Sequence, residues 1–442
     1  MGDWLAGAAE LDITPPLGVS MTGYAGRPGP ADHILDPLSV RALALQAEDG
    51  EPLVLTCGDL LGLSDATVRQ IRNEAAPWVR PERLLLNHSH THAGPTTAPL
   101  RCMREPDAAY GGMVVRWTVS AVREALRRLR PARLLFGTAP TAIGMNRRER
   151  REERTVLGFN PAGAYDPTVS VLRVEEETGR PLACWFSHAT HPVVMGNQNT
   201  GISAEWPGAA AAALSQLLEC PAVFAQGCCG DVNPVRRGDH AVARSVGREL
   251  AGAALAAWER AEPLASRGLA AALETVSLPQ QKPSVHEAEA ALEEARERLR
   301  AVEAECAGSE EAERGRKLEI PREMLAWAED YLAAARADGC PAVRMDVQAL
   351  RIGDLALVAT GAETFIEIGQ EIQRRSPFPR VVALGYSNGC FGYLPTAKAF
   401  PLGGYEVDAA FKYYGTLMVT PDCERLTLEA AERVLGRLDS GG

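Results

Sequence analysis

The chain has 442 residues, enough for one large catalytic domain or two ordinary ones, and an ordinary apolar share of 46%. Its formal charge of -11 is a modest acidic excess, and the densest basic run, Arg147 to Arg154, is interleaved with Glu149, Glu152 and Glu153, which excludes a basic nucleic-acid stripe. No run approaches a membrane span, the first ten residues lack a charged start and apolar segment, and the ten cysteines read as reduced core thiols, so the expectation is a cytoplasmic protein without a transmembrane segment.

Ala6 to Ile13 reads as an opening strand, closed by Thr14-Pro15-Pro16-Leu17-Gly18 because proline brings no donor to a ladder. The Gly- and Pro-rich loop Met21 to Pro30 follows, either lining a site or making a surface turn. Val40 to Gln46 and Leu53 to Cys57 pair around Glu48-Asp49-Gly50-Glu51, where Asp-Gly is a hairpin signal. Asp59, at the end of the second strand, is a candidate carboxylate partner for a ligand histidine, or a turn residue. A helix from about Ser64 to Ala76 leads into the apolar strand Arg83 to Leu86.

That strand runs into Asn87-His88-Ser89-His90-Thr91-His92-Ala93-Gly94-Pro95. Strand side chains alternate between faces, so His88, His90 and His92 are expected on one side as the chain leaves the sheet. Strand ends are where open α/β sheets place their chemistry.

A helix over Asp107 to Leu129 and strands at Arg133 to Thr138, Val169 to Val174 and Leu182 to Phe186 come next, with a charged loop opening at Ile143-Gly144-Met145-Asn146-Arg147. The last strand ends in a second cluster, Ser187-His188-Ala189-Thr190-His191-Pro192, so five of the eight histidines sit at two strand ends. Imidazole is the commonest metal ligand and a catalytic zinc needs about three protein donors with one position open, so the two clusters point to a shared site.

Gly201 to Gly208 starts a helix reaching Leu218, with Pro207 in its first turn. The strand Ala222 to Gln226 ends in Gly227-Cys228-Cys229-Gly230-Asp231-Val232-Asn233-Pro234, whose glycines allow close backbone approach and whose amides are expected to face an anion or oxyanion. Residues Ser284 to Ala337 change character: Ala288, Ala291, Leu292, Ala295, Leu299 and Val302 share one helical face, Ser284 with Glu287 makes a capping box, and a second helix is expected from about Pro321. This antiparallel hairpin, 284–338, reads as an insertion and as a candidate surface for a homo-oligomer, an interaction element or a lid. Strands Val343 to Ile352 and Leu355 to Thr360 follow, then Glu363 just past a strand, a last strand Val381 to Gly385, a tyrosine-rich segment and a C-terminal helix near Leu426 to Leu438. The alternation gives one α/β domain over 1–442: a mixed β-sheet core flanked by helices, with the helical hairpin inserted.

In their order, these motifs resemble the catalytic domain of the neutral ceramidase family, zinc amidases that cleave N-acyl bonds. His90-Thr91-His92-Ala93-Gly94-Pro95 resembles the family's His-Thr-His-Ser-Gly-Pro motif, Asn146-Arg147 an Asn-Arg motif, and His191-Pro192 with Met195-Gly196-Asn197 the segment of a second zinc histidine. Glu363 resembles a zinc glutamate, Tyr393 in Gly392-Tyr393-Leu394-Pro395-Thr396 a zinc tyrosine, and Tyr405-Glu406 a pair whose tyrosine contacts the scissile group. The resemblance implies Zn²⁺ held by His90, His191, Glu363 and Tyr393. On that scheme His92 is the expected acid/base, Arg147, Tyr405 and Asn233 are expected to stabilise an oxyanion or fix a polar substrate end, and Glu205 and Asp231 are second-choice bases. The most consequential departure is at residue 233: the family has Gly-Asp-x-Ser-Pro where this chain has Asn233, and an amide supplies no acyl-enzyme oxygen. The expected activity is hydrolysis of an N-acyl amide by a metal-activated water on a small-molecule substrate other than ceramide. The alternatives are a lactone or ester hydrolase on the same site, and a non-catalytic zinc-binding scaffold. Specificity is expected in the loops Met21 to Pro30, Thr96 to Tyr110 and Arg148 to Tyr165.

Overall fold

The computed structural model describes residues 4–47, 50–103, 105–265 and 268–439. Met1 to Asp3, Glu48 and Asp49 of the expected turn, and Arg104 of one expected specificity loop lie outside them. The histidine-bearing strand is one edge of a mixed sheet. Its strands are β1 (Trp4–Asp12), β2 (Ser39–Ala47), β3 (Leu53–Gly58), β4 (Leu84–His88), β5 (Arg130–Pro140), β6 (Thr168–Glu175), β7 (Pro181–His188) and β8 (Ala222–Gln226). They run in the order β8-β7-β6-β5-β1-β2-β3-β4, with the short strand Glu262–Pro263 beside β5. The middle pairs are antiparallel and both outer pairs, β3 with β4 and β7 with β8, are parallel. Parallel neighbours need crossovers, supplied by α1 (Asp65–Ala75) between β3 and β4 and α3 (Glu205–Leu218) between β7 and β8. The crossover strands β4 and β7 are the ones that end on histidines.

Period-two alternation builds a core on each face. Along β2, Val40, Ala42 and Ala44 pack with α1 and with α2 (Ala108–Arg127), while Leu43 and Leu45 join the core under α3 and α4 (His240–Glu259). A Cβ on Gly247 would meet the Ala209 Cβ at 2.6 Å, so only glycine allows α4 to lie this close to α3. The two edge strands come back together: Asn87 donates from Nδ2 to the Gln226 carbonyl at 3.3 Å and accepts from the Gln226 amide at 2.8 Å. The remaining edge of β4 is taken by the 386–388 segment, with the Leu86 amide on Asn388 Oδ1 and the His88 amide on the Tyr386 carbonyl.

A second sheet, β9 (Leu269–Pro279), β10 (Ala342–Ile352), β11 (Leu355–Thr360) and β12 (Arg380–Leu384), follows in sequential order. Helices α5 (Val285–Glu305) and α6 (Glu311–Arg336) form the expected hairpin between β9 and β10. Helix α7 (Ile366–Arg375) crosses between the parallel β11 and β12, and α8 (Asp422–Asp439) packs on this sheet. The architecture is the α/β one read from the sequence, a mixed sheet flanked by helices.

Three local expectations change. Helix α6 starts at Glu311 and carries Pro321 inside it, so that proline forgoes one ladder bond rather than marking a first turn. The charged run after Arg147 is a strand pair, Arg148–Arg151 with Arg154–Leu157. Helix α4 and strand β9 have no counterpart in the sequence reading. The buried face of α4 includes Ala243, Gly247, Ala251 and Ala254, side chains too small to give a strong apolar period.

The hairpin rests on three loops. Trp327 lies 6.0 Å from the Phe411 ring with Lys412 Nζ 4.7 Å above it, Asp330 pairs with Arg101, and Ile320 sits against Gly26. Among the described residues no helix is long and apolar enough to cross a membrane.

Candidate active site

The alternation expected for three histidines stops at His88, the last residue of β4. His90 stands at φ 64, a left-handed turn that breaks the strand geometry. His88 stays apart and burial pushes its pKa down to about 4. His188 is likewise structural, its Nδ1 on the Thr168 carbonyl and its Nε2 3.1 Å from Thr190 Oγ1, with burial holding it at about 4.

His90, His92 and His191 converge instead. Their Nδ1 atoms face backbone carbonyls: Leu61 at 2.7 Å, Gly23 at 2.9 Å and Cys229 at 2.6 Å respectively. A carbonyl oxygen only accepts, so each Nδ1 carries the proton and each Nε2 is left with a lone pair. Nε2 of His90 and of His92 is buried without a hydrogen-bond partner, and one donor atom from each of the three rings lies within 4.8 Å of the others. Burial, reinforced by neighbouring charge, pushes His191 down to about 4 and His92 well below its usual value, which keeps both in the neutral, metal-binding form.

Glu363 closes the group. Its Oε2 is 2.9 Å from His191 Nε2 and 3.3 Å from His90 Nε2, while Tyr414 donates to Oε1 at 2.5 Å and Tyr386 to Oε2 at 3.4 Å. Burial raises this carboxyl, but the two imidazoles outweigh it and hold the group well below the usual carboxylate range. The two-residue strand Glu363–Thr364 pairs in parallel with Tyr393–Leu394, residue 363 opposite 393, which sets both side chains on one face.

Tyr393 accepts from Arg147 Nη2 at 2.9 Å. Arg147 also donates from Nε to Glu406 at 2.8 Å and from Nη1 to Asn233 Oδ1 at 3.3 Å, and its Cζ lies 6.0 Å from the Tyr405 ring. A cavity of about 330 Å³ opens over this group. Seven of the eight residues selected from the sequence line it, namely His90, His92, Arg147, Asn233, Glu363, Tyr393 and Tyr405, and the eighth, His191, bonds Glu363. Leu61, Leu100, Met103, Leu157 and Val193 supply apolar wall, and Gly23, Tyr24 and Ala25 bring the expected loop to the rim.

Other expectations fail. Asp59 pairs with Arg41 and caps the Ser39 amide, and the partner of His90 is a carbonyl instead. The amides of Gly227, Gly230 and Val232 are spent on the carbonyls of His188, Thr364 and Cys229, so they do not present themselves to an oxyanion. Glu205 accepts from the Met195 and Trp206 amides, Asp231 from the Ile366 amide and Asn146, and neither lines the cavity. Tyr386, Tyr414 and Glu406 join the site without a role in the sequence reading, Glu406 following Tyr405 and both tyrosines lying in the tyrosine-rich segment.

Imidazole nitrogens and a carboxylate oxygen meeting at one point are the donor set that zinc accepts, and the two unpartnered Nε2 lone pairs there fit a cation. Residues 4–253 match the family model described as neutral/alkaline non-lysosomal ceramidase, N-terminal. Glu363, Tyr393 and Tyr405 lie beyond that stretch and reach the site through the fold. A solved ceramidase complexed with C2 is similar at 18% identity and a TM-score of 0.75, over 100% of this chain and 76% of that one. The neutral ceramidase from Pseudomonas aeruginosa is similar at 20% identity and 0.73, over 99% and 75%. At such identities these likenesses speak for the fold. Among curated proteins no sequence matches. With the family match spanning more than half its length, the chain belongs to the neutral/alkaline non-lysosomal ceramidase family, a family of amide hydrolases.

Proposed function

We propose that the chain is a zinc-dependent hydrolase of an N-acyl amide bond, with His90, His191, Glu363 and Tyr393 holding the metal and His92, Arg147, Tyr405 and Asn233 acting on the substrate. The observation that carries this is the convergence of three imidazoles, two buried and that of His92 half-buried, with donor atoms within 4.8 Å of one another, on a carboxylate 2.9 Å from one of them. When bound, zinc supplies Lewis acidity that polarises a carbonyl and makes a neighbouring water more acidic.

The protein's own groups account for the rest. His92 is anchored through Nδ1 to the Gly23 carbonyl, so its Nε2 accepts a proton from the attacking water and returns it to the leaving nitrogen. Asn233 Oδ1 already accepts from Arg147, which leaves the amide hydrogens of Nδ2 to donate to the oxyanion. Glu406 neutralises and aims Arg147 toward the same side, and Tyr405 adds a phenol at the cavity wall. Residue 233 offers no hydroxyl, so a covalent acyl-enzyme at that position has no part in the reaction.

The test is zinc content by mass spectrometry together with turnover of a panel of N-acyl and ester substrates. His90→Ala is expected to lose both metal and turnover, and His92→Ala to keep the metal and lose turnover. Loss of zinc in His92→Ala would make that ring a ligand instead of a proton carrier. Full zinc with no hydrolysis across the panel would favour the scaffold reading.

A further inference from the structure

A second cavity of about 320 Å³ adjoins the first and shares Leu157, Asn233 and Arg237 with it. Its other walls are Met145, Gly158, Phe159 and Pro234. The two guanidinium groups at the first cavity differ in their surroundings. Arg147 is buried and neutralised by Glu406 at 2.8 Å. Arg237 is exposed at the junction of the cavities, and among the described residues no carboxylate lies within ion-pair distance of it. The Tyr24 hydroxyl, which donates to the Met195 carbonyl at 2.9 Å, and the buried Glu205 are its electrostatic neighbours. Beside this cation stand two large apolar side chains, Leu157 at 50% and Phe159 at 56% exposed. An uncompensated guanidinium next to an uncovered aliphatic and aromatic wall describes a ligand with an anionic end and an apolar side group.

Resting on the hydrolase reading above, we propose that the second cavity receives the amine half of the substrate and that this half is an amino acid with an apolar side chain. The substrate class is then the N-acyl amino acids, with the free carboxylate on Arg237 and the side chain against Leu157 and Phe159. The geometry favours this class because the carboxylate carbon of such a molecule lies two bonds from the scissile nitrogen. A scissile bond beside Asn233 therefore leaves its anion within the short span that the shared wall residues cover. In the reaction, water oxygen adds to the acyl carbon and the carbon–nitrogen bond breaks. The nitrogen takes up a proton, and the products are a carboxylate and a free amino acid. No other reactant is needed.

The test compares zinc-loaded protein on N-octanoyl-L-leucine and on its carboxamide, N-octanoyl-L-leucinamide, in which a neutral amide of similar size replaces the carboxylate. Wild type is expected to prefer the free acid by at least about tenfold in kcat/KM, the discrimination a charged hydrogen-bonded contact gives. Arg237→Ala should raise KM for the free acid about tenfold, raise that for the carboxamide much less and keep its zinc, and Arg237→Lys should recover part of the loss on the free acid. Equal rates on acid and carboxamide, or an Arg237→Ala effect that is the same on both, overturn the proposal while the hydrolase reading stands. No turnover of any N-acyl compound overturns both.

Discussion

The floor and the rim of the cavity are held in different ways. On the floor, each imidazole is pinned by a carbonyl from a different segment, Leu61, Gly23 and Cys229, and the His191 side chain is wholly buried. At the rim, the loops carrying Ala25, Leu100 and Tyr413 lean on the hairpin through contacts such as Arg101 with Asp330, whose side chain is 71% exposed. Buried bonds of the first kind leave the donor atoms little freedom. Contacts of the second kind are screened by water and weak, so substrate-facing surface can be altered with little cost to the metal site.

Four measurements bear on that contrast. His90→Ala takes a donor from the floor and is expected to abolish stoichiometric zinc and to cut kcat/KM by more than about a thousandfold, the several kcal/mol that a catalytic metal contributes. Retained zinc would mean that the floor is not built around that ring. Glu406→Ala leaves Arg147 and Arg148 buried without their shared carboxylate, and chemical denaturation should reveal a loss of about 3 kcal/mol.

The third concerns acid. His188 has its pKa pushed down to about 4 by burial, below the 6.5 of an unfolded chain, so above pH 6.5 both states are neutral and its contribution is intact. As pH falls from 6.5 toward 4 the unfolded state binds a proton that the folded state refuses. Stability therefore drops, by about 3 kcal/mol at most. His188→Gln should flatten that part of the stability–pH curve, and an unchanged slope would refute the assignment. The smallest effect is expected at the rim: Asp330→Ala should cost less than about 1 kcal/mol and shift KM about twofold with zinc unaffected. A large loss of zinc there would erase the distinction between the two regions.

The same contrast governs what was legible in the sequence. Three histidines in five residues after an apolar strand are conspicuous at any level of reading, as is a second pair behind another strand. Glu363 stands out in the sequence as a carboxylate just past an apolar strand, but Tyr393 is marked only by the family resemblance, because their meeting depends on two-residue strands 30 positions apart in register. Tyr386 and Tyr414 bond Glu363 from 23 and 51 residues away, and no local pattern marks such phenols. Helix α4 escaped because alanine and glycine on its buried face mute the apolar period, and the left-handed turn at His90 because nothing in its side chain demands it. No local pattern in the sequence marks Arg237, the second guanidinium at the cavity.

The reunion of the outer strands has a consequence beyond the site. Asn87 joins β4 to β8, and the segment after β12 occupies the free amides of Leu86 and His88. The bonds that hold the histidine loop in position thus also cover the outer edge of β4 where it ends. Among the described residues the outer amides of Leu86 and His88 are taken, so the end of β4 offers no free donors on which a second chain could add a strand. Association with other molecules at that border must use side chains, and loosening position 87 would expose catalytic loops and an adhesive edge in the same event.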